Sequence, residues 1–206
     1  MPRLLDLFSG AGGCSVGYQR AGFQVVGVDL EPMPRYPYEF HQRDALEYLL
    51  EHGDEYDAIH ASPPCKRFTK TGWAYKFGYH DNHMDLVTPT RELLEQTGKP
   101  WIIENVPGST MRPDVILCGS QFGLGVRRHR WFELSWPHYD LMPPCDHSEP
   151  VVSPHGNPNR FKGSAAQWAV AMDIDWMSST ELAQAIPPAY TAYLGTLLLE
   201  QIAVAP

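Results

Sequence analysis

A glycine-rich turn near the start of the chain has the residue types that bind a nucleotide-like cofactor. The stretch Asp6-Leu-Phe-Ser-Gly-Ala-Gly-Gly13 follows a short apolar segment and precedes a predicted helix. Glycines let a ligand approach the backbone, and the N-terminus of a helix favours a negative group. Asp29 comes about 20 residues later, at a spacing where a carboxylate can hold a ribose hydroxyl. A tight turn that binds no ligand would show the same pattern.

A cysteine and a glutamate stand at the ends of two later apolar segments. Cys65 follows Ser62-Pro-Pro64, and two prolines fix the backbone in front of the thiol, so they could aim it as a nucleophile. Glu104 ends the segment at residues 101–104. A thiol beside a carboxylate fits covalent catalysis with acid assistance. The alternatives are a buried, inert cysteine and an exposed acid at the end of a strand.

Basic residues and possible metal ligands occur in the second half of the chain. Residues 127–130 form the run Arg-Arg-His-Arg, which could bind a phosphate or a polarised carbonyl, or could form a solvated face. Cys145, His147 and His155 suggest zinc, but their spacing lacks a second Cys-x-x-Cys or His-x-x-x-His pair. We therefore expect no metal site.

The elements that must position these residues follow from the hydrophobic pattern. Strand patterns alternate with helix patterns, the strands at residues 4–8, 24–28, 57–61 and 101–104 and the helices at 14–21, 45–52 and 89–97. This alternation predicts βαβ units and a mainly parallel sheet. The carboxyl ends of parallel strands line one crevice, so the glycine turn, Cys65 and Glu104 should share it. Thr88 is the expected N-cap of the third helix, with Pro89 at its first position.

The second half is less regular. Strand patterns at residues 115–118 and 130–134 precede a proline-rich stretch at 137–162, and a final helix pattern covers 189–202. We expect a catalytic and cofactor-binding core at residues 1–135. A reduced recognition subdomain should follow at 136–178, and a C-terminal segment at 179–206 should return to the core with its helix.

Composition limits the class of protein. The chain has 206 residues, 43% hydrophobic and 19% charged, which fits one folded domain. A net charge of −8 argues against a generic nucleic-acid coat protein, although a local basic patch is allowed. No apolar run reaches the roughly 18 residues of a membrane span, and Asp6 interrupts the apolar core that a signal peptide needs. Four separated cysteines indicate reduced thiols, so we expect a cytoplasmic monomer in a bacterial or phage-infected host cell.

Taken in order, the motifs resemble those of the cytosine-5 DNA methyltransferase family, and the resemblance covers most of the chain. The glycine turn resembles the cofactor loop of that family. Pro64-Cys65 resembles its catalytic Pro-Cys, and Glu104-Asn105-Val106 its Glu-Asn-Val signature. Arg128-His-Arg130 resembles its Arg-x-Arg motif, and residues 181–188 resemble a late segment that returns to the cofactor site. The resemblance implies a Rossmann-like α/β fold for S-adenosylmethionine-dependent methyl transfer, with a mainly parallel sheet and a small irregular recognition subdomain.

The resemblance also implies a role for each matching residue. Cys65 would attack C6 of a flipped cytosine as a thiolate, while Glu104 contacts N3 and the exocyclic amine. Arg130 would contact the cytosine carbonyl, with Arg128 supporting the site. The residues expected to bind S-adenosylmethionine are Asp6, Phe8, Gly10, Gly12, Gly13, Asp29, Asp44, Pro64, Ala185 and Ile186. The residues expected to contact nucleic acid are Lys66, Arg67, Asn105, Arg160 and Lys162.

This chain departs from the family pattern at several positions. Lys66 replaces the usual Gln after the catalytic Cys, and Val126 replaces a Gln before the Arg-x-Arg motif. The Gln, Gly and Asn of the late motif are replaced by Glu181, Ala183 and Gln184. Only about 40 residues, 136–176, stand where the family inserts its target-recognition region. We therefore expect relaxed or short sequence specificity.

Four alternatives stay open. Methylation of RNA would use the same Cys and Glu as methylation of DNA. The altered late motif leaves room for a modified S-adenosylmethionine that donates a larger group. A non-catalytic module could bind the cofactor or nucleic acid without chemistry. Amino-group methylation is the fourth, because Ser62-Pro-Pro64 matches the first three positions of its motif, with Cys65 in place of the aromatic fourth.

Overall fold

One mixed β-sheet organises the protein. The structure, a computed structural model, describes residues 1–64, 86–154 and 162–204. Within these ranges the sheet has seven strands. They are β1 (Arg3–Leu7), β2 (Gln24–Asp29), β3 (Glu39–Gln42), β4 (Ala58–Ala61), β5 (Trp101–Asn105), β6 (Val115–Leu117) and β7 (Arg130–Leu134).

The strand order explains why the chemistry gathers at one edge. The order is β3-β2-β1-β4-β5-β7-β6, and the first five strands are parallel, while β7 runs antiparallel to both of its neighbours. Leu7 pairs with Ala61, and Ala61 pairs with Ile103. The carboxyl ends of β1, β4 and β5 therefore lie side by side, and the mainly parallel sheet predicted from the sequence is confirmed.

Helices cover both faces of the sheet. They are α1 (Gly13–Ala21), α2 (Ala45–His52), α3 (Val87–Thr97), α4 (Ala165–Met172), α5 (Ser179–Gln184) and α6 (Pro188–Val204). Successive strand residues point to opposite faces, so Leu4 packs with Tyr18 of α1 and Leu194 of α6. Leu5 packs on the other face with Leu94 of α3. In the part of the chain that the structure describes, no helix combines the length and apolar character needed to cross a membrane.

Three features differ from the pattern read along the sequence. Helix α3 begins at Val87, so Thr88 is not its N-cap and Pro89 lies at its third position. A proline is tolerated there because the N–H groups of the first turn have no partner within the helix. The sequence pattern did not predict β3, a half-exposed edge strand with little apolar alternation. It also missed α4 and α5, whose capping boxes begin at Ser164 and Ser178.

The stretch after β7 is irregular. Residues 137–154 contain no regular strand or helix; Val152 makes one isolated bridge with Val126. A small apolar cluster beyond it joins Val126 to Trp168 and Met172 of α4 and to Leu182 of α5. The domain boundaries proposed from the sequence remain a prediction.

Candidate active site

The glycine turn after β1 has a strained, defined shape. Phe8 has a φ of 57°, in the left-handed region that a residue with a side chain rarely adopts. Gly10 and Gly12 also have positive φ values, 50° and 87°. The carboxylate of Asp29 accepts the N–H of Gly10 at 2.9 Å and that of Glu31 at 3.1 Å. Asp29 therefore fixes the turn from the end of β2, and its oxygens keep further lone pairs for a ligand.

The late segment packs directly on this turn. A Cβ at Gly13 would lie only 2.4 Å from the carbonyl oxygen of Ile186, so only glycine allows this approach. Trp176 adds a second link, because its indole N–H donates to the carbonyl of Ala11 at 2.8 Å. Ile186 therefore lies against the glycine turn, while Ala185 packs in the apolar cluster with Val126 and Leu182. Their predicted role in cofactor binding stays a prediction. No motif or periodicity in the sequence pointed to Trp176.

Asp6 is the fully buried carboxyl of the turn. Its Oδ2 accepts a hydrogen bond from the Ser15 hydroxyl, which in turn accepts one from Tyr36 at 2.7 Å. No group among the described residues hydrogen-bonds to Oδ1. Burial raises the pKa of Asp6 to about 7, against the lowering effect of Ser15. The free oxygen is an acceptor that a cationic ligand could satisfy.

Asp44 has a structural role that the motif reading did not assign. It is the N-cap of α2, and its Oδ1 accepts the N–H groups of Leu46 at 2.9 Å and Glu47 at 3.0 Å. The residue is exposed. An Asp before a helix is a common capping signal, so the sequence held this information.

A buried ion pair joins β5 to β7. Glu104 is 6% exposed, and its Oε1 lies 2.9 Å from Nε of Arg130. Arg130 also donates through Nη1 to the carbonyl of His129 at 2.8 Å. Burial raises the pKa of Glu104, and the guanidinium groups of Arg130 and Arg128 oppose part of that rise. The carboxyl therefore keeps its proton to a higher pH than an exposed glutamate does.

Arg128 ties the late segment to the same edge. Its side chain is buried, and Nη2 donates to the carbonyl of Ala183 at 2.9 Å. Its own carbonyl accepts the Tyr190 hydroxyl at 2.7 Å. Arg128 thus connects α5 and α6 to the segment that leads into β7.

The end of β4 is held by buried polar groups. Asn105 is 1% exposed, donates to the carbonyl of Pro63 at 3.1 Å and accepts the N–H of Val106 at 2.8 Å. We expected Asn105 to contact nucleic acid, but the structure instead places its amide inside the protein. The reason is geometric: Asn105 is the last residue of a central strand, so it faces the neighbouring turn.

A second polar chain supports the same turn. The Ser62 hydroxyl lies 2.9 Å from Nε2 of His60, whose Nδ1 lies 2.9 Å from the Tyr18 hydroxyl. Burial lowers the pKa of His60 to about 3, so the ring is neutral at physiological pH. The sequence reading missed this chain, because a lone histidine inside a strand carries no motif.

Several predicted residues lie outside the described ranges or at their limits. Cys65, Lys66, Arg67 and Arg160 lie outside them, and so does His155. Pro64 is exposed at the end of the first range. Lys162 is exposed, and its carbonyl accepts the indole N–H of Trp168. The described residues bring together the glycine turn, Asp29, Glu104, both arginines and the late segment.

Comparison with solved structures supports the fold. The Dnmt2 methyltransferase of S. pombe superposes with a TM-score of 0.62 at 16% identity, over 98% of this chain and 99% of that one. The Entamoeba histolytica methyltransferase EhMeth gives 0.63 at 12% identity, over 98% and 99%. At these identities the likeness shows the fold alone.

Sequence comparison identifies the family. The Type II methyltransferase M.XorII of Xanthomonas oryzae is 30% identical over 124 residues, which cover 52% of this chain and 28% of the relative. M.AquIA of Picosynechococcus is 31% identical over 123 residues, or 52% and 49%. The chain thus spans at most about half the length of these curated relatives. Residues 2–113, more than half of the chain, match the family profile of the C-5 cytosine-specific DNA methylases, and the chain belongs to that family.

Proposed function

We propose that the protein transfers a methyl group from S-adenosylmethionine to C5 of cytosine in DNA, with Cys65 as the nucleophile. The observation that carries this proposal is the buried pair formed by Glu104 and Arg130 at the carboxyl edge of the sheet. The pair lies beside the strand β4, which leads to Cys65, and on the edge that also holds the glycine turn. A proton donor, a cysteine thiol and a bound cofactor are the groups that this reaction needs.

The glycine turn fits S-adenosylmethionine. This cofactor carries a sulfonium, an ammonium group and a ribose, and Oδ1 of the buried Asp6 offers an acceptor to a cation. Asp29 can hold the ribose hydroxyls, and the approach of Ile186 to Gly13 forms the opposite wall. Asp44 and Phe8 complete the predicted set. When bound, the cofactor supplies an electrophilic methyl group on its sulfonium.

The protein residues then move electrons and protons at the cytosine ring. The Cys65 thiolate would form a bond to C6, and the Glu104 carboxyl would give its proton to N3, so that C5 becomes nucleophilic. With S-adenosylmethionine bound, C5 would bond to its methyl carbon as the bond from that carbon to sulfur breaks, and S-adenosylhomocysteine would be the leaving group. A base takes the C5 proton, the C6–sulfur bond breaks, and N3 returns its proton to Glu104. Arg130 orients that carboxyl and reaches the cytosine carbonyl. The ring is inaccessible inside a duplex, so the cytosine must be flipped out.

Sequence recognition is proposed to be relaxed or short. Between β7 and α5 the chain has about 40 residues, and residues 137–154 contain no regular element against which bases could be read. Lys162 is exposed near α4 and, with Arg160, Lys66 and Arg67, is a candidate for contact with phosphates.

Nucleoside analysis tests the proposed reaction. DNA and RNA from cells that express the protein are digested and analysed by mass spectrometry, and the Cys65→Ala variant is the control. We expect 5-methylcytosine in DNA that depends on Cys65, spread over many sequence contexts. A Cys65-dependent signal in RNA alone, a heavier cytosine product, or an exocyclic N-methyl product that survives Cys65→Ala would each contradict the proposal.

Glu104→Gln should lower kcat by about 10²- to 10⁴-fold, because the amide keeps the shape but cannot give up a proton. In the wild type, kcat/KM should fall as the pH rises through the pKa of Glu104, which burial has raised. This fall of kcat/KM at alkaline pH, the alkaline limb of the profile, should be absent in Glu104→Gln. Glu133→Gln is the matched control, since Glu133 is buried on β7 and paired with Arg91 at 2.7 Å. An unchanged alkaline limb in Glu104→Gln would show that Glu104 is not the proton donor.

Asp6→Asn should change the pH dependence of stability. Because the pKa of Asp6 is raised from 3.8 to about 7 in the folded state, the folded protein binds more protons than the unfolded chain between those values. Wild-type stability should therefore fall as the pH rises from 5 to about 7. The Tm of Asp6→Asn relative to wild type should increase over that interval, and S-adenosylmethionine should stabilise the variant less.

Asp173→Asn is the control for a general charge effect, because Asp173 is an exposed carboxylate paired with Arg20 at 2.6 Å. The difference in Tm between Asp173→Asn and wild type should not increase as the pH rises from 5 to about 7. A Tm difference for Asp6→Asn that is constant from pH 5 to 8 would refute a buried, proton-binding Asp6.

A further inference from the structure

Four side chains from three consecutive segments of the chain meet at one point beside the Arg-x-Arg motif. They are Cys118, His129, Cys145 and His147, and their ligand atoms all lie within 4.8 Å of one another. Sγ of Cys118 is 3.4 Å from Nε2 of His147, and Sγ of Cys145 is 3.5 Å from Nε2 of His129. We propose that these four residues, here called the Cys2His2 cluster, bind one structural Zn²⁺ ion.

The spacing of the atoms fits a tetrahedral ion. Typical Zn–S and Zn–N distances, about 2.3 Å and about 2.0–2.1 Å, separate a ligand sulfur from a ligand nitrogen by about 3.6 Å at a tetrahedral angle. The two sulfur–nitrogen distances of 3.4 and 3.5 Å come within about 0.2 Å of that value. Two thiolates also balance the charge of Zn²⁺, and four protein ligands make a closed site that leaves no position for a substrate.

The surroundings of the cluster favour a structural ion. Cys118 directly follows β6 and is buried, and the Ser120 hydroxyl donates to its sulfur at 3.4 Å. Hydrogen-bonded groups around a ligand orient it toward the metal. Cys145 and His147, in contrast, belong to the irregular stretch after β7, where Tyr139 and Leu141 are almost fully exposed. Such a stretch buries little apolar surface of its own, so a metal would hold it in place.

Hydrogen bonds already bring this stretch to the cluster. Gln121 donates to the carbonyl of Pro143 at 2.7 Å, and Arg127 donates to the carbonyls of His147 and Glu149. These contacts fix the backbone on both sides of Cys145, so its thiol faces the other three ligands before any ion binds. A preorganised site of this kind lowers the ordering cost of metal binding.

Zinc at this point would also position the proposed active site. His129 is the middle residue of the Arg-x-Arg motif, and its carbonyl accepts a hydrogen bond from Arg130, the partner of Glu104. An ion that fixes His129 therefore fixes the backbone between Arg128 and Arg130. This consequence rests on the proposed function, whereas the zinc site itself does not, and metal content is measured independently of activity.

The proposal departs from the expectation of no metal site. The spacings between the four ligands are 10, 15 and one intervening residues, which no short zinc motif contains. Only the fold of β6, β7 and the irregular stretch brings Cys118 and His129 to Cys145 and His147. His155, the third residue that suggested zinc in the sequence, lies outside the described ranges.

Metal analysis of the full chain tests the proposal. The protein is purified without chelators and its metal content is measured by plasma mass spectrometry, and Co²⁺ is then exchanged into it. We expect about one zinc per chain, and visible absorption typical of tetrahedral Co²⁺ with thiolate ligands. Cys145→Ser and His147→Ala should weaken zinc binding by at least about tenfold, because even the loss of an outer-shell partner costs about 10- to 100-fold. Cys14→Ala and His52→Gln, outside the cluster, should keep the full zinc content.

Thermal unfolding separates metal loss from misfolding. A chelator should lower the Tm of the wild type to that of Cys145→Ser, added Zn²⁺ should restore it, and the variant should respond to neither. Cys145 and His147 are exposed, so these variants keep the sheet and its apolar core. Zinc-free wild-type protein that does not take up Zn²⁺ or Co²⁺, zinc retained by both variants, or a disulfide between Cys118 and Cys145 in the purified protein would each overturn the proposal.

Discussion

The buried pair formed by Glu104 and Arg130 is the interaction on which the arrangement of the site depends. Removing a carboxylate from water is costly, and the attraction of the partly buried guanidinium offsets part of that cost, because Nε and Oε1 are 2.9 Å apart. Among the described residues, no group donates a hydrogen bond to Oε1. The antiparallel pairing of β5 with β7 sets this distance, because Glu104 pairs with Phe132 and Asn105 with Trp131. Arg130 precedes Trp131 as the first residue of β7, and its side chain reaches the carboxylate. The reversed strand β7 is therefore the element that brings a cation to the parallel sheet's carboxyl edge.

The same edge is connected to the glycine turn through the late segment and Trp176. Arg128 holds Ala183, Ile186 presses on Gly13, and Trp176 donates to Ala11. The late segment is thus in contact with both the arginine motif and the glycine turn. Arg128 and Trp176 reach backbone carbonyls with their side chains, whereas at Gly13 a Cβ would lie 2.4 Å from the carbonyl oxygen of Ile186, so a larger residue there would displace the late segment.

Much of the fold and of the candidate site could be predicted from the sequence. The features that could not be predicted have physical reasons. Buried parallel strands such as β1 and β2 are continuous apolar runs, so their number and order of appearance were readable. The positions of Glu104 and of the glycine turn at strand ends followed from that pattern. The strand β3 escaped because an edge strand needs little apolar alternation. The inward role of Asn105 escaped because the motif specifies a residue type and gives no direction for its side chain.

Long-range contacts were the part that sequence reasoning could not reach. The pairing of Arg130 with Glu104 depends on strand order, and the meeting of Cys118 with His147 depends on the path of an irregular stretch after β7. Neither of these contacts produces a periodic pattern along the sequence. Trp176 and the chain from Tyr18 through His60 to Ser62 belong to the same class. Such contacts are fixed by tertiary packing, whereas motifs and periodicity report only neighbours along the chain.

A covalent bond between Cys65 and cytosine C6 is the step that distinguishes the proposed chemistry from amino-group methylation and from non-catalytic binding. It can be measured by intact mass after the protein is incubated with S-adenosylmethionine and a pool of DNA duplexes in which fluorine replaces hydrogen at cytosine C5. A base cannot remove fluorine as it removes a proton, so the adduct should accumulate. We predict a species with the mass of protein, DNA strand and one methyl group, with the link mapped to Cys65. Methyl transfer to ordinary DNA without any such adduct, or an adduct at another residue, would contradict the proposed mechanism.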